Sequence, residues 1–432
     1  MAATCPDRNN MTLHEDKVIR VGVVPLSWGG GAELVRYVLN ALVVIDKKES
    51  IEVFLLIPGG KNIRSVKDKV IRFINKKNKE KLGSIRRLFT YKKSAMCGEA
   101  LNDSFKNLSA SKKVSTVFYE DSAAGFNRRL KEANINVVFF NHEYRSDIPS
   151  IRYLADLQHK HYPHFFSKQE IAERDQYYEQ VLADGTGIGL VGSADTRNDI
   201  QKYFPNYQAR LFVMPFMATF SDEWFSYFEE DLSDKYNLPE KYFIICNQFW
   251  RHKDHQAAFK ALSILVNKYR VMDVHMVCTG NTSDYRAADH FNNLKREISE
   301  LGLESNVHIL GHIPKQDQIN IMKKAVCLIQ PSLFEGDPGG YSLCDAVSIG
   351  QAALISDIPV NMEIKDKEAN IFYFTAGDAA DLASKMYDIV NKKLEYPGKD
   401  ELRSTSERKI KALSDVLLGV VKAAVQNSHY EK

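Results

Sequence analysis

The chain has 432 residues, 44% hydrophobic and 26% charged, with a formal net charge of +3. Such a composition is that of an ordinary soluble globular protein, and at about 150 residues per domain the length predicts two or three domains rather than one core. The polar start, MAATCPDRNNMTLHEDKVIR, predicts no signal peptide, and no apolar run reaches the length of a membrane-spanning helix.

In chain order, apolar runs predict strands at 18–26, 51–58, 135–140, 187–193, 209–216, 242–249, 274–280, 306–311, 325–332 and 352–356. Their continuous β-branched and aromatic character predicts strands buried on both faces. Helices are predicted between them at 32–45, 168–184, 254–268, 287–301, 315–324, 341–349 and 379–392. Strand followed by helix, repeated, predicts an α/β chain with parallel sheets covered by helices. The register breaks over the polar and aromatic stretch 217–240, so the boundary is placed there, giving doubly wound domains at 1–220 and 221–432. The last helix is expected to pack back on the first domain. Ligands of such sheets bind beyond the carboxyl ends of the strands, which points to the cleft between the domains.

Charge is uneven. Residues 61–93 hold 13 Lys and Arg against Asp68 and Glu80, with Val66, Val70, Phe73 and Ile74 at helical spacing. This reads equally as an amphipathic basic helix for an anionic membrane surface or acidic acceptor, and as a solvated helix face. No nucleic-acid-binding module accompanies it, so nucleic acid is not the expected partner. The six cysteines form no C-x-x-C pair; Cys246, Cys278 and Cys327 sit in or beside strand-like runs and predict free core thiols of a reducing compartment.

Three segments carry chemistry. Ser27-Trp28-Gly29-Gly30-Gly31 follows the first strand and opens a helix, where Gly30 and Gly31 let a phosphate or sugar approach the helix N-terminus. In Asn247-Gln248-Phe249-Trp250-Arg251-His252-Lys253-Asp254-His255, four cationic or potentially cationic side chains at a strand end suit a diphosphate leaving group. From Pro331 to Ala346 a glycine-rich loop with Gly339 and Gly340 enters a helix at Tyr341 and Ser342, between the carboxylates Glu335 and Asp345. Loop amides and the helix dipole suit phosphate, and a strand-end carboxylate suits sugar hydroxyls; Asp345 reads alternatively as a helix N-terminal charge. Gly185-Thr-Gly187-Ile-Gly189 precedes a strand, the wrong context for a dinucleotide loop. His159, His161 and His164 lack a partner set for a metal, and no Asp-x-Asp pair is present, so no metal is expected.

These residues together resemble family 4 of the retaining glycosyltransferases, which have the GT-B fold. The resemblance covers most of the chain and is strongest in NQFWRHKDH (247–255), CTGNTSDYR (278–286), ILGHIPKQDQ (309–318) and 330–364; DLQHKHYPHFFS (156–167) and VGSADTRNDI (191–200) extend it into the first domain. It implies two Rossmann-like domains facing across a cleft and a nucleotide-sugar donor as the only cofactor. By position, Glu335 corresponds to the first glutamate of the family's pair, which contacts the donor sugar, and Asp345 to the second, which holds the ribose. This chain has nine intervening residues where seven are usual, and aspartate in place of glutamate, so the donor-sugar pocket is expected to be reshaped. Lys253 corresponds to the diphosphate-binding lysine. Gln248 stands where an arginine is usual, with Arg251 as the substitute. Gly280 lies in one of the matching segments, and His312 and Ile313 lie where the base-binding loop sits. Gly30 and Gly31 match the first-domain glycine loop, and either His142 or His159 matches a first-domain histidine near the donor.

The implied activity is metal-independent transfer of a sugar to a hydroxyl with retention, in cell-surface polysaccharide or glycolipid synthesis. The acceptor would be a saccharide or lipid-linked saccharide, and the protein cytoplasmic, peripheral on the inner membrane face. A sugar-nucleotide epimerase or hydrolase, or a non-catalytic transferase-like subunit, would use the same fold.

Overall fold

The structure is a computed structural model that describes residues 18–26, 30–45, 51–58, 114–183, 187–219, 224, 231–365 and 369–427. The basic segment 61–93, Cys5, Cys97 and Ser27–Gly29 lie outside these residues.

The first sheet holds β1 (Ile19–Val23), β2 (Ile51–Pro58), β3 (Val114–Tyr119), β4 (Val137–Phe139), β5 (Ser150–Tyr153), β6 (Ile188–Val191) and β7 (Arg210–Val213), in the order β3-β2-β1-β4-β5-β6-β7. The second holds β8 (Tyr242–Cys246), β9 (His275–Thr279), β10 (Val307–Gly311), β11 (Cys327–Gln330), β12 (Ala353–Ser356) and β13 (Ile371–Phe374), ordered β10-β9-β8-β11-β12-β13. Every pairing is parallel. Each sheet therefore winds outward, returns to its middle and winds the other way. The reversal falls between β1 and β4 in one sheet and between β8 and β11 in the other. At such a point the following helices leave to opposite faces and a crevice opens at the strand ends.

The longer helices are α1 (Gly31–Val44), α2 (Ala123–Glu132), α3 (Lys168–Leu182), α4 (Ala194–Tyr203), α5 (His255–Asn267), α6 (His290–Glu300), α7 (Lys315–Lys324), α8 (Gly340–Ser348), α9 (Ala379–Asn391) and α10 (Lys399–Asn427). The four residues of β6, β11 and β12 are all buried, as continuous apolar runs require. The first sheet ends at Val213 and the second begins at Tyr242. α10 returns to the first domain: Ser414 Oγ donates to the Ala41 carbonyl at 2.6 Å, and Leu413, Leu417 and Val420 join the cluster containing Leu34 and Val38 of α1.

Three strands and two long helices escape the sequence pattern. β3 and β13 are sheet edges, covered on one side, and in β3 Ser115 and Thr116 face outward; β5 has four residues and contains Arg152. α2 buries three residues, and α4 buries Ile200 with the polar Thr196 and Asp199, so neither presents a broad apolar stripe. Among the described residues no helix is long and apolar enough to cross a membrane.

Candidate active site

The second sheet's reversal brings two predicted loops together. Beyond β8 runs Asn247–Lys253; beyond β11 runs Pro331–Gly339, leading into α8. Lys253 Nζ and Glu335 Oε1 form an ion pair at their junction, with side chains only 11% and 10% exposed. Gln330 Nε2 donates to the same Glu335 oxygen at 3.0 Å. Gln330 Oε1 in turn accepts from Asn247 Nδ2 at 2.8 Å and Ser342 Oγ at 3.0 Å. The predicted Glu335, Lys253 and Ser342 thus share one network, completed by Gln330 and Asn247. A glutamine with no exposure, closing the otherwise apolar run Cys327–Gln330, is the sequence signal that points to it.

The glycines have geometric reasons. Gly339 and Gly340 have φ of 61° and 60°, so the chain enters α8 through two consecutive left-handed residues. The Gly339 amide donates to Asn361 Oδ1 at 2.7 Å, and the Gly340 amide to the Asp337 carbonyl at 3.1 Å. Gly280, with φ 136°, lets the loop beyond β9 lie directly on that beyond β8; a Cβ there would stand 2.0 Å from the Asn247 carbonyl oxygen.

Of the four cationic or potentially cationic side chains of 247–255, the two histidines lie in the interior. His252 is 5% exposed and His255 fully buried, stacked on Phe249 at 4.2 Å. Burial, then neighbouring Lys253 and Arg286, depresses His252; burial, then His290 and Lys253, takes His255 down to about 3. Both are neutral, because the interior penalises imidazolium and neither has a carboxylate against it. Lys253 carries the charge in the network, while exposed Arg251 lies 5.8 Å over Phe165 of the first domain. A further cation comes from the loop beyond β9. Arg286 pairs with Asp284 at 3.0 Å, donates to Gln158 Oε1 at 2.8 Å and stacks on Trp250. Gln248 is half-buried, its carbonyl accepting from the Trp250 amide.

Asp345 is 1% exposed and ion-paired to Lys315 at the start of α7. Its Oδ1 has no hydrogen-bond partner among the described residues. Burial and nearby Glu33 push its carboxyl up, against the pull of Lys315. Glu33 of α1 faces this pair from the first domain. Burial opposes its ionisation, but Arg36, 2.8 Å away, and Lys315 outweigh that and hold it below the usual range. Lys315 thus lies between carboxylates of both domains. Tyr37 and Tyr341 stack at 6.2 Å alongside. His312 is exposed and Ile313 buried just before Lys315. Gly30 and Gly31 begin α1, so they stand beyond β1 at the first sheet's own reversal.

His142 follows β4 at that reversal, and its Nδ1 meets the Tyr177 hydroxyl at 2.7 Å. Burial, then Arg152, lowers it to about 3. His159 is 1% exposed and bonds Asp175 at 2.9 Å, with burial lowering its affinity for a proton. His161 bonds Asp199 at 2.5 Å. Among the described residues no three His, Cys, Asp or Glu converge as a metal site.

The two domains touch around the loop beyond β11. The Gly336 carbonyl accepts from Ser193 Oγ at 2.8 Å and Thr196 Oγ1 at 3.0 Å. Tyr153 donates its hydroxyl to Asp337 Oδ1 at 2.5 Å, and Tyr162 to the Leu333 carbonyl at 3.1 Å. Glu363 caps the start of α4, accepting from the Ala194 and Asp195 amides at 2.8 and 2.6 Å. Gly336 and Asp337, between Glu335 and Asp345, thus contact the first domain.

Residues 228–409 match the family model described as glycosyl transferases group 1. No curated protein is significantly similar in sequence over the chain. Among solved structures, a glycosyltransferase from Rickettsia africae ESF-5 aligns with a TM-score of 0.57 at 14% identity, over 95% of this chain and 100% of its own. Sucrose-phosphate synthase from Thermosynechococcus elongatus gives 0.54 at 12%, over 96% and 98%. Anabaena Alr3699/HepE, solved in complex with UDP, gives 0.52 at 13%, over 96% and 99%. The chain has the GT-B fold, and the matched second domain indicates a glycosyltransferase.

Proposed function

We propose that this chain is a retaining glycosyltransferase, akin to family 4, that moves a sugar from a nucleotide-sugar donor to a hydroxyl of a saccharide or lipid-linked saccharide. The observation that carries the reading is the Lys253–Glu335 pair at the second sheet's reversal, buttressed by Gln330. An ammonium there stabilises the charge that develops on a departing diphosphate, and a fixed carboxylate orients sugar hydroxyls. In the transfer, the acceptor oxygen bonds to the anomeric carbon as that carbon's bond to the diphosphate oxygen breaks. The acceptor's proton passes to the diphosphate, and the nucleoside diphosphate leaves. Domain contact around 333–337 excludes water that would otherwise hydrolyse the donor.

Fold neighbours with UDP bound make a uridine nucleotide the first to try. A panel of UDP, GDP, ADP and TDP, with and without sugars, identifies the base as the nucleotide that raises the melting temperature. Anomeric configuration in the product, read by NMR, tests retention, and activity surviving chelator tests metal independence. Full turnover in both Glu335→Gln and Lys253→Ala sinks the assignment. A role in cell-surface polysaccharide or glycolipid synthesis, on the inner membrane face, draws support from the basic residues 61–93. It predicts sedimentation with anionic liposomes that is lost as salt rises.

A further inference from the structure

Two of the segments that carry the family resemblance, 156–167 and 278–286, supply no residue to the hydrogen-bonded network of Lys253 and Glu335, yet they meet each other across the cleft. The meeting point is Arg286, whose side chain is only 8% exposed. Buried Asp284 accepts from its Nε at 3.0 Å and from its Nη2 at 3.3 Å. The third arm of the fork, Nη1, donates to Gln158 Oε1 of the first domain at 2.8 Å, across 128 positions of sequence. The guanidinium also lies 5.1 Å over the Trp250 ring of the second domain and 5.4 Å over the Phe166 ring of the first. With its charge matched by Asp284, Arg286 serves as a planar strut between the domains rather than as an anion ligand.

Trp250 connects this strut to the site. It precedes the single turn Arg251–Lys253, and its carbonyl accepts the Lys253 amide at 2.9 Å. The loop beyond β9 grips the same stretch at two further points. The Phe249 amide donates to the Asn281 carbonyl at 3.0 Å, and Gly280 lies against the Asn247 backbone. We propose that Arg286 is a positioning residue that ties the loop carrying Lys253 to the first domain through Gln158. The inference rests on the transferase reading above. Arg286 acts through Trp250: held by Gln158 and Phe166 on one side, it steadies on the other the turn that presents the ammonium to the diphosphate. Approach of the domains and placement of Lys253 are thereby linked by a continuous chain of contacts.

The test compares the full chain with Gln158→Met, which keeps the side chain's length and removes the acceptor, with Arg286→Lys, which keeps the charge and removes the planar fork, and with the two combined. Hydrogen exchange of the peptide 247–256 is followed by mass spectrometry. Affinity is measured by calorimetry for UDP, or for GDP, ADP or TDP if one of these is the nucleotide bound. Gln158→Met is expected to speed exchange in 247–256 by about tenfold and to weaken nucleotide binding by about threefold or more, with exchange in 187–193 of the first sheet unchanged. Arg286→Lys is expected to match it, and the double variant to add nothing, since either change cuts the same link. Wild-type exchange and affinity in Gln158→Met overturn the inference, and so does faster exchange spread over the first domain. A double variant whose effects are the product of the singles, marking two separate structural losses, or an Arg286→Lys protein identical to wild type, marking charge alone, overturns it as well. If wild type binds none of the four nucleotides, the transferase reading falls and takes the diphosphate role of Lys253 with it; exchange in 247–256 still decides whether Gln158 holds this loop through Arg286.

Discussion

Replacing Lys253 by methionine, Glu335 by glutamine, and both together separates what their ion pair does for stability from what it does for chemistry. The side chains are 11% and 10% exposed, so each single change leaves the remaining charge poorly solvated. Breaking a buried pair from one side costs about 3–5 kcal/mol. In Lys253→Met the carboxylate retains the Gln330 Nε2 bond at 3.0 Å, which places the expected loss near the lower end, about 3 kcal/mol. Glu335→Gln keeps an amide oxygen for the ammonium and is expected to cost about 2 kcal/mol. The double variant leaves no charge stranded, so it should be more stable than the sum of the singles by about 2 kcal/mol. Turnover follows a different rule. On the proposed role of Lys253, losing its cation should lower kcat by about a hundredfold or more, and no second substitution restores it. Guanidinium unfolding and initial transfer rates on the same four proteins give both quantities. A double variant that regains turnover along with stability would refute a chemical role for Lys253.

Gly280→Ala should destabilise the second domain by about 3 kcal/mol, since it forces φ near 136° on alanine with its Cβ 2.0 Å from the Asn247 carbonyl oxygen; an unchanged denaturation midpoint contradicts this. Asp345→Asn removes the charge partner of Lys315, and on the ribose-holding role should weaken nucleotide binding by about tenfold in calorimetry, with wild-type affinity as the refuting result. Acid should destabilise the fold through His142, His252 and His255. Their folded-state proton affinities lie below the unfolded value near 6.5, so below that pH the unfolded chain binds protons that the folded chain refuses. Stability is then fully present above about pH 6.5 and declines as pH falls toward about 3, and a flat urea midpoint between about pH 7 and about pH 5 counts against their neutrality.

Much of the fold was legible because buried parallel strands leave an unmistakable trace. β11 and β12 lie inside their predicted ranges, and β2 matches its range from Ile51 to Pro58. Legibility failed where burial is partial. β3 and β13 close the sheets at their edges, and α4 docks through polar contacts with Gly336 and Glu363 rather than an apolar stripe. The candidate site divides along the same line. Glu335 and Lys253 were readable from motif and position, since both follow strands that end at one reversal. His252 and His255 read as potentially cationic because sequence cannot distinguish a loop imidazole from a buried one such as His255, stacked on Phe249.

Asp337 and Lys315 were unreadable for a further reason: their partners lie far away in sequence. Tyr153 meets Asp337 across 184 positions, and Glu33 faces Lys315 from the opposite domain. Such contacts exist only once two separately wound sheets are brought face to face, so no local periodicity encodes them. Asp337, two residues beyond Glu335, is tied to the first domain through Tyr153. Asp345 has Lys315 on one oxygen and no hydrogen-bond partner for Oδ1 among the described residues, and Glu33 of the first domain acts on the same lysine electrostatically. In both places a charged group of the second domain is met by a residue of the first. On the proposed transfer, the charge that a departing diphosphate meets is therefore set by residues of both domains rather than by the second alone.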